Sequence, residues 1–395
     1  MTTASFRPLL ASAVCFFFAA AAPAEPRRTI PVDGLPFEAE LIAADAQWQL
    51  TFQQNDRRRP LPAADLVRWG SPAETVRGPV IVTADGGLLV GDVLAADPEK
   101  LVADSALFGL VELPAEQAAA VVFSLPSDRR ARDLLLDRAC SYESTSDQVM
   151  LVNGDVVDGR FRRIHEDKVE LDADVGPLEI EVDRVRAVVF NPTLLDRPRR
   201  EGLWAVAGFA DGTRLVVDRL IVAGESVEIT AAGRVWRTAR DELVCLQPLG
   251  GRAVYLSDLE PSGDRQLPFL ELDWPPYRND RDVTGGWLRC GGRLYLKGLG
   301  VHSAARLTYT LEEPYRRFEA LLGIDDHTAG QGSVRFLVYV DGRRQYASPI
   351  VRGGDEPTAV SVDVAGAKRL DLIVDYADRA DVMDRADWLE ARLVP

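Results

Sequence analysis

The sequence predicts an all-β protein made of four small barrel-like repeats followed by a β-sandwich or jelly roll. Three observations carry that prediction. Short alternating strands punctuated by Asp-Gly or Asn-Gly turns recur four times before residue 252. About eight longer alternating strands follow in roughly 110 residues with no helix between them. One segment alone carries helical signals. The 395 residues exceed one ordinary β-domain, and 47% hydrophobic residues give ample material for cores. Charged residues make up 27% and are scattered, which excludes a disordered chain.

The repeats begin at Asp33-Gly34, Asp85-Gly86, Asn153-Gly154 and Asp211-Gly212. They close on Leu66-Val67-Arg68-Trp69, Val121-Val122-Phe123, Val188-Val189-Phe190 and Leu243-Val244-Cys245-Leu246. In the third copy, Val149 to Val152 reads as a strand, Asn153-Gly154 as a hairpin turn and Val156 to Ile164 as the return. Leu178, Ile180 and Val182 then share one face of an alternating strand. Four or five strands in about 45 residues fit an SH3-like or Sm-like barrel, and units so small are expected to pack in neighbouring pairs. The expected division is two repeats over 27–126, a helical linker over 127–146, two repeats over 147–251 and the sandwich over 252–395.

The helix is expected from Ser127 to Cys140. Ser127 or Asp128 caps it, and Leu134, Leu135 and Leu136 form a patch to dock on a barrel. Thr193 to Gly202 is a loop, because Pro198 blocks a continuous helix. Residues 252–285, rich in Pro, Asp and Arg, read as an extended connector. Beyond them Val334, Phe336, Val338 and Val340 share a face, as do Val360, Val362 and Val364, and Leu370, Leu372 and Val374. These strands are expected to make a sandwich that folds by itself.

Arg7, the apolar run Leu9 to Ala22 and the small residues Ala22-Pro23-Ala24 predict a signal peptide over 1–24, cleaved after Ala24. The run is too short to span a bilayer, and no second apolar stretch is long enough. The predicted location is secreted or periplasmic. The net charge of −15 becomes −16 when Arg7 leaves with the signal, a field that excludes nucleic acid as a natural partner. Cys140, Cys245 and Cys290 remain without a C-x-x-C pair, which argues against a zinc ribbon or thioredoxin-like site. Cys245 with Cys290 is the pair best suited to a disulfide in an oxidising compartment.

Four separated stretches near the C-terminus are distinctive: Lys297 to Ser303 (KGLGVHS), Phe318 to Asp326 (FEALLGIDD), Gly332 to Gly342 (GSVRFLVYVDG) and Asp384 to Leu393 (DRADWLEARL). Together they make residues 252–395 resemble the NPCBM family of carbohydrate-binding modules, found beside some glycoside hydrolases. The resemblance implies a galactose-binding-like jelly roll, a glycan or polysaccharide partner and an accessory role without hydrolysis. One departure stands: relatives usually read Asp-His-Ala-Asp-Trp where this chain has Arg385 after Asp384.

No H-E-x-x-H, G-x-S-x-G or phosphate-loop spacing occurs, and the histidines number three, His165, His302 and His327. The expected ligand-binding residues are His302, His327, Asp387 and Trp388, the polar and aromatic groups within the family-like stretches. Asp325 and Asp326 could offer oxygens to a structural calcium ion, the alternative being a plain acidic turn. Strict alternation puts Leu389, Ala391 and Leu393 on one face and Trp388 with Glu390 and Arg392 on the other. From there Trp388 would stack on a sugar ring; otherwise it plugs the sandwich. Trp287, Tyr295, Tyr315 and Tyr346 are lesser candidates of the same kind. The resulting expectation is a non-catalytic exported glycan-binding protein, its repeats acting as spacers or as contacts for other envelope proteins. The alternative is a structural envelope protein without sugar binding.

Overall fold

The structure, a computed structural model, describes residues 26–197, 199–267, 277–378 and 380–395. The predicted signal segment and Pro198, Pro268, Pro275 and Pro276 lie outside the described residues. Each repeat is an antiparallel barrel of the SH3-like kind, with five strands in the first and third copies and six in the second and fourth. In those two the second strand is broken, into Leu88–Val90 and Asp92–Ala96, and into Arg214–Val217 and Arg219–Ala223. The last strand always follows a one-turn 3-10 helix: Ala63–Asp65, Ala115–Gln117, Val182–Arg184 and Arg240–Glu242. The closing strands Leu66–Gly70, Ala118–Val122, Val185–Val189 and Leu243–Leu249 fall where the apolar runs placed them.

Each repeat opens with a strand before its Asp-Gly or Asn-Gly turn, which the sequence indicated only for the third copy. Arg27–Pro31, Val80–Thr83, Asp147–Leu151 and Trp204–Phe209 precede the turns. The turn dipeptide closes the first hairpin, and Gly34, Gly86, Gly154 and Gly212 take φ of +101°, +86°, +95° and +92° there. Such values favour a residue without Cβ, which is why the turns stand out more clearly than the strands before them.

Pairing between repeats runs partly against the expectation of neighbours. The second and third join through their closing strands, Val121 opposite Val188. The first instead pairs with the fourth, Leu246 opposite Trp69, so the array folds back on itself. Arg214 opposite Leu88 links the fourth repeat to the second. One apolar cluster runs through all four, from Leu41 and Phe52 through Leu113 and Val188 to Phe209 and Leu246. A core shared in this way supplies the burial that units of this size lack singly.

The C-terminal region is a jelly-roll sandwich. One sheet has the order Tyr277–Asn279, Gly298–His302, Arg385–Val394, Arg317–Ile324, Thr358–Asp363. The other runs Gly263–Gln266, Ala305–Thr310, Arg369–Tyr376, Ser333–Val340, Arg343–Ala347. The predicted connector is more than a tether. Val254–Tyr255 and Tyr277–Asn279 join the first sheet and Gly263–Gln266 edges the second.

The sandwich packs on the repeats through the outer face of its first sheet. The helix α1 (Arg129–Cys140), capped by Asp128 through the Ala131 N–H at 2.8 Å, is the wedge between them. Its Leu135 and Leu136 bury against Val80, Val82 and Ala187, and Trp287 and Leu294 of the sandwich complete that cluster. Buried ion pairs cross the same boundary. Arg289 reaches Glu74 at 2.7 Å and also grips Asp133 of α1, and Arg68 meets Glu390 at 2.6 Å. The three cysteines of the described chain are free thiols, so the expected Cys245–Cys290 disulfide is absent. Cys245 lies in the closing strand of the fourth repeat beside Gly208, whereas Cys290 packs under Gly323 of the sandwich.

Candidate functional site

His302, His327, Asp325, Asp326 and Asp387 lie toward one end of the sandwich, near the 280–287, 302–305, 325–332 and 380–384 segments, but they do not share an environment, and Trp388 lies deeper in the core. Trp388 is fully buried. It stands edge-on to Phe336, centroids 4.9 Å apart, and to Phe318 at 6.0 Å, in the middle of the core. The expected alternation fails because Glu390 adopts φ +49° and the register against Arg317–Ile324 shifts there. This bulge inserts one residue, so Trp388, Ala391 and Leu393 face the core together. Trp388 is therefore the plug of the sandwich and offers no stacking surface. Trp287 and Tyr295 are buried beneath the repeats, and Tyr315 and Tyr346 are half-buried against the core.

Asp387, the next residue toward the loops, projects from the opposite face and is also fully buried. Burial, then the neighbouring Asp325 and Asp282 carboxylates, push its pKa well above the usual carboxylate range. Neither of its carboxyl oxygens has a hydrogen-bond partner among the described residues. Asp325 and Asp282 in turn grip His327: its Nδ1 lies 2.9 Å from Asp325 and 3.0 Å from Asp282, with Asp133 of α1 at 3.6 Å from Nε2. Although burial opposes its charge, hydrogen bonds to Asp282 and Asp325 lift the imidazole to about 9.

Asp282, Asp325 and His327 present ligand atoms within 4.8 Å of one another, a group that could hold a metal ion. Two carboxylates and an imidazole fall short of the about 6–8 oxygens that calcium takes. Asp326 is not part of the group. Its carboxylate accepts the Gly291 and Gly292 N–H groups at 3.1 and 2.9 Å, fixing the turn between Leu288–Cys290 and Arg293–Tyr295. Asp325–Asp326–His327 is thus an acidic turn held by internal hydrogen bonds, with Asp325 capping it through the His327 N–H at 2.8 Å. The signal that finds Asp282 in the sequence is weak, since it lies in the stretch read as connector.

Of the four expected ligand residues, Asp387 and Trp388 are buried, while His302 and His327 are intermediate, the His327 side chain being 8% exposed. His302 lies opposite Arg385 on the neighbouring strand, and its Nδ1 is 3.3 Å from the Ser303 carbonyl. Burial lowers its pKa, so the ring is neutral at pH 7. Ser303 donates to Asp384 at 2.8 Å, and burial raises the Asp384 carboxyl to about 6. Asp381 and Arg385 both lie close enough to act on the His302 ring. Tyr376, the last residue of its strand and opposite Val334, is exposed. A neutral imidazole, a guanidinium, carboxylates and an exposed phenol can donate to and accept from hydroxyl groups.

The raised pKa of His327 gives a testable pH dependence. Its protonated form is favoured by folding, so its contribution is complete below about 6.5, the unfolded value, and fades as pH rises toward 9. Urea midpoints of the wild type and His327→Gln should differ most near pH 6 and converge by pH 9.5. A gap that widens with pH would show that the ring is not held as a cation.

Residues 252–394 match the family described as NPCBM/NEW2 domain. A protein of Renibacterium salmoninarum named "Putative endo-alpha-N-acetylgalactosaminidase" is 29% identical over 167 residues, covering 38% of this chain and 11% of its own. Alpha-1,3-galactosidase B of Akkermansia muciniphila is 32% identical over 117 residues, covering 29% of this chain and 15% of its own. The chain thus spans only a small part of the curated relatives it matches. Among solved structures, CBM51 from Clostridium perfringens GH95 in complex with methyl-galactose is 27% identical. It covers 36% of this chain and 99% of its own, with a TM-score of 0.32.

Proposed function

We propose that this chain, whose residues 252–394 are an NPCBM/NEW2 domain, is an exported, non-catalytic glycan-binding protein. The domain match is the observation that carries the reading. The loop end around His302, Arg385, Asp381 and Tyr376 is the surface that meets the sugar. There the neutral His302 imidazole faces hydroxyls, backed by the buried Arg385 guanidinium, while the Tyr376 ring lies under the apolar C–H side. His327, Asp387 and Trp388 act from behind, as the packed floor of those loops. The two relatives are named for galactose-type substrates, which makes galactose and N-acetylgalactosamine the first ligands to try.

A non-catalytic role agrees with the state of the acidic cluster. Asp282, Asp325 and Asp387 are fully buried, and two of them hold His327, which leaves a substrate no approach to them. The four repeats form the base that holds the module and the surface for other envelope proteins, and cleavage after Ala24 releases the chain outside the cytoplasm. Burial of Asp387 and Trp388, two of the four expected ligand residues, favours a second reading, a structural envelope protein without sugar binding. Binding of the full chain to immobilised galactosides, with His302→Ala and Tyr376→Ala beside it, separates the two. The first reading expects each substitution to weaken binding about fivefold to a hundredfold, the loss of about 1–2.5 kcal/mol of hydrogen bonding or stacking.

A further inference from the structure

A second cleft, of about 250 Å³, opens where the fourth repeat meets the sandwich, and it owes its walls to both. Trp204, Arg214 and Gln247 line it from the repeat, and Arg281, Trp287 and Lys297 from the sandwich. Three of these residues carry a buried polar atom with no hydrogen-bond partner among the described residues: Arg214 Nη1, Gln247 Oε1 and Trp287 Nε1. Arg214 is 5% exposed, Gln247 0% and Trp287 7%. Buried polar groups are ordinarily satisfied, so three orphans lining one cleft are an unusual concentration.

Charge in the cleft is equally uneven. Lys297 is neutralised by Asp258 and Asp280, both at 2.6 Å, and Arg281 by Asp137 at 2.7 Å. Asp85 on the rim is held by Arg200 at 2.8 Å. Arg214 has no carboxylate within ion-pair distance among the described residues. Desolvation, with Arg281 and Arg289 nearby, brings its pKa down to about 10, which still leaves it charged at neutral pH. The guanidinium groups of Arg281 and Arg214 lie over the Trp287 ring at 3.7 and 4.3 Å, so what Trp287 offers a ligand is its N–H edge. Trp204 is only half-buried and presents an aromatic surface beside Arg200.

We propose that this cleft binds a carboxylate-bearing monosaccharide, a sugar acid, at a site separate from the loop end around His302. The carboxylate accepts from Arg214 Nη1 and Trp287 Nε1 and supplies the counter-charge that Arg214 lacks. A hydroxyl donates to Gln247 Oε1, and the apolar side of the ring lies on Trp204. The cleft is slightly smaller than pockets for drug-sized ligands, about 300–1,000 Å³, which suits a single ring. Because both walls are needed, the site exists only with the repeats docked on the sandwich.

The test uses the full chain with glucuronate and galacturonate as probes, and glucose, acetate and sulfate as controls. Saturable quenching or enhancement of tryptophan emission and a rise in melting temperature are expected with the sugar acids. Glucose, acetate and sulfate should bind at least tenfold more weakly. Arg214→Met should weaken sugar-acid binding more than tenfold while the melting temperature without ligand holds or rises, because the change removes an unpaired buried charge. If that variant does not fold, Trp287→Phe keeps an aromatic ring in the cluster and deletes the N–H, and should weaken binding likewise. Equal response to glucose and glucuronate, equal response to sulfate, no saturable binding of either sugar acid, or unaltered binding in a folded variant would each overturn the proposal.

Discussion

Replacing Arg289 by Met should destabilise the protein by about 3–5 kcal/mol, the usual cost of leaving a buried carboxylate, here Asp133, without its cation. Arg289 is 1% exposed and bonds Glu74 through Nε and Nη2 at 2.7 and 2.8 Å while its other amino group holds Asp133. Desolvation already raises the pKa of Asp133, and Arg289 is the main influence lowering it. Its backbone N–H also donates to Asp325 at 2.9 Å, tying this interdomain pair to the cluster behind the loops. Urea unfolding should show the loss, and Arg289→Met combined with Asp133→Leu should recover much of it, since the orphaned charge is then gone. A loss below about 1 kcal/mol would place the pair in the class of exposed bridges and weaken the view that repeats and sandwich unfold together.

Trp388→Ala should cost a similar amount, about 3–5 kcal/mol, as expected for emptying a large buried site. The ring packs between Phe318 and Phe336 at the centre of the sandwich, where the surrounding strands cannot collapse into the void. Glycan affinity measured per folded molecule should stay within about twofold of wild type, because the indole is sealed from the loops. A variant that melts normally but loses sugar binding would return Trp388 to the ligand surface.

These two residues also mark where the sequence was legible and where it was not. Alternation and turn dipeptides located all four closing strands, and the cap candidates Ser127 and Asp128, of which the second is used, announced α1, because local chemistry decides strands, turns and caps. The bulge at Glu390 broke the alternation that the Trp388 reading depended on. Its one trace in the sequence is the run Trp388-Leu389, two apolar residues in succession, before Ala391 and Leu393 resume. The partnership of Arg289 with Asp133 spans 156 positions and the pairing of the first repeat with the fourth is similarly remote. No periodicity encodes such choices, since any of the similar closing strands offers the same edge. The predicted independence of residues 252–395 meets the same limit, because Trp287, Tyr295 and Leu294 read as ordinary sandwich residues until the repeats are seen to cover them.

The most direct test of the account is the binding of the intact chain, purified without its first 24 residues, to an array of galactose- and N-acetylgalactosamine-terminated glycans. Saturable binding that free galactose or N-acetylgalactosamine competes away, and that His302→Ala weakens without changing the melting temperature, is the result expected. Absence of binding across the array by a folded protein, or binding that His302→Ala and Tyr376→Ala leave untouched, would contradict it.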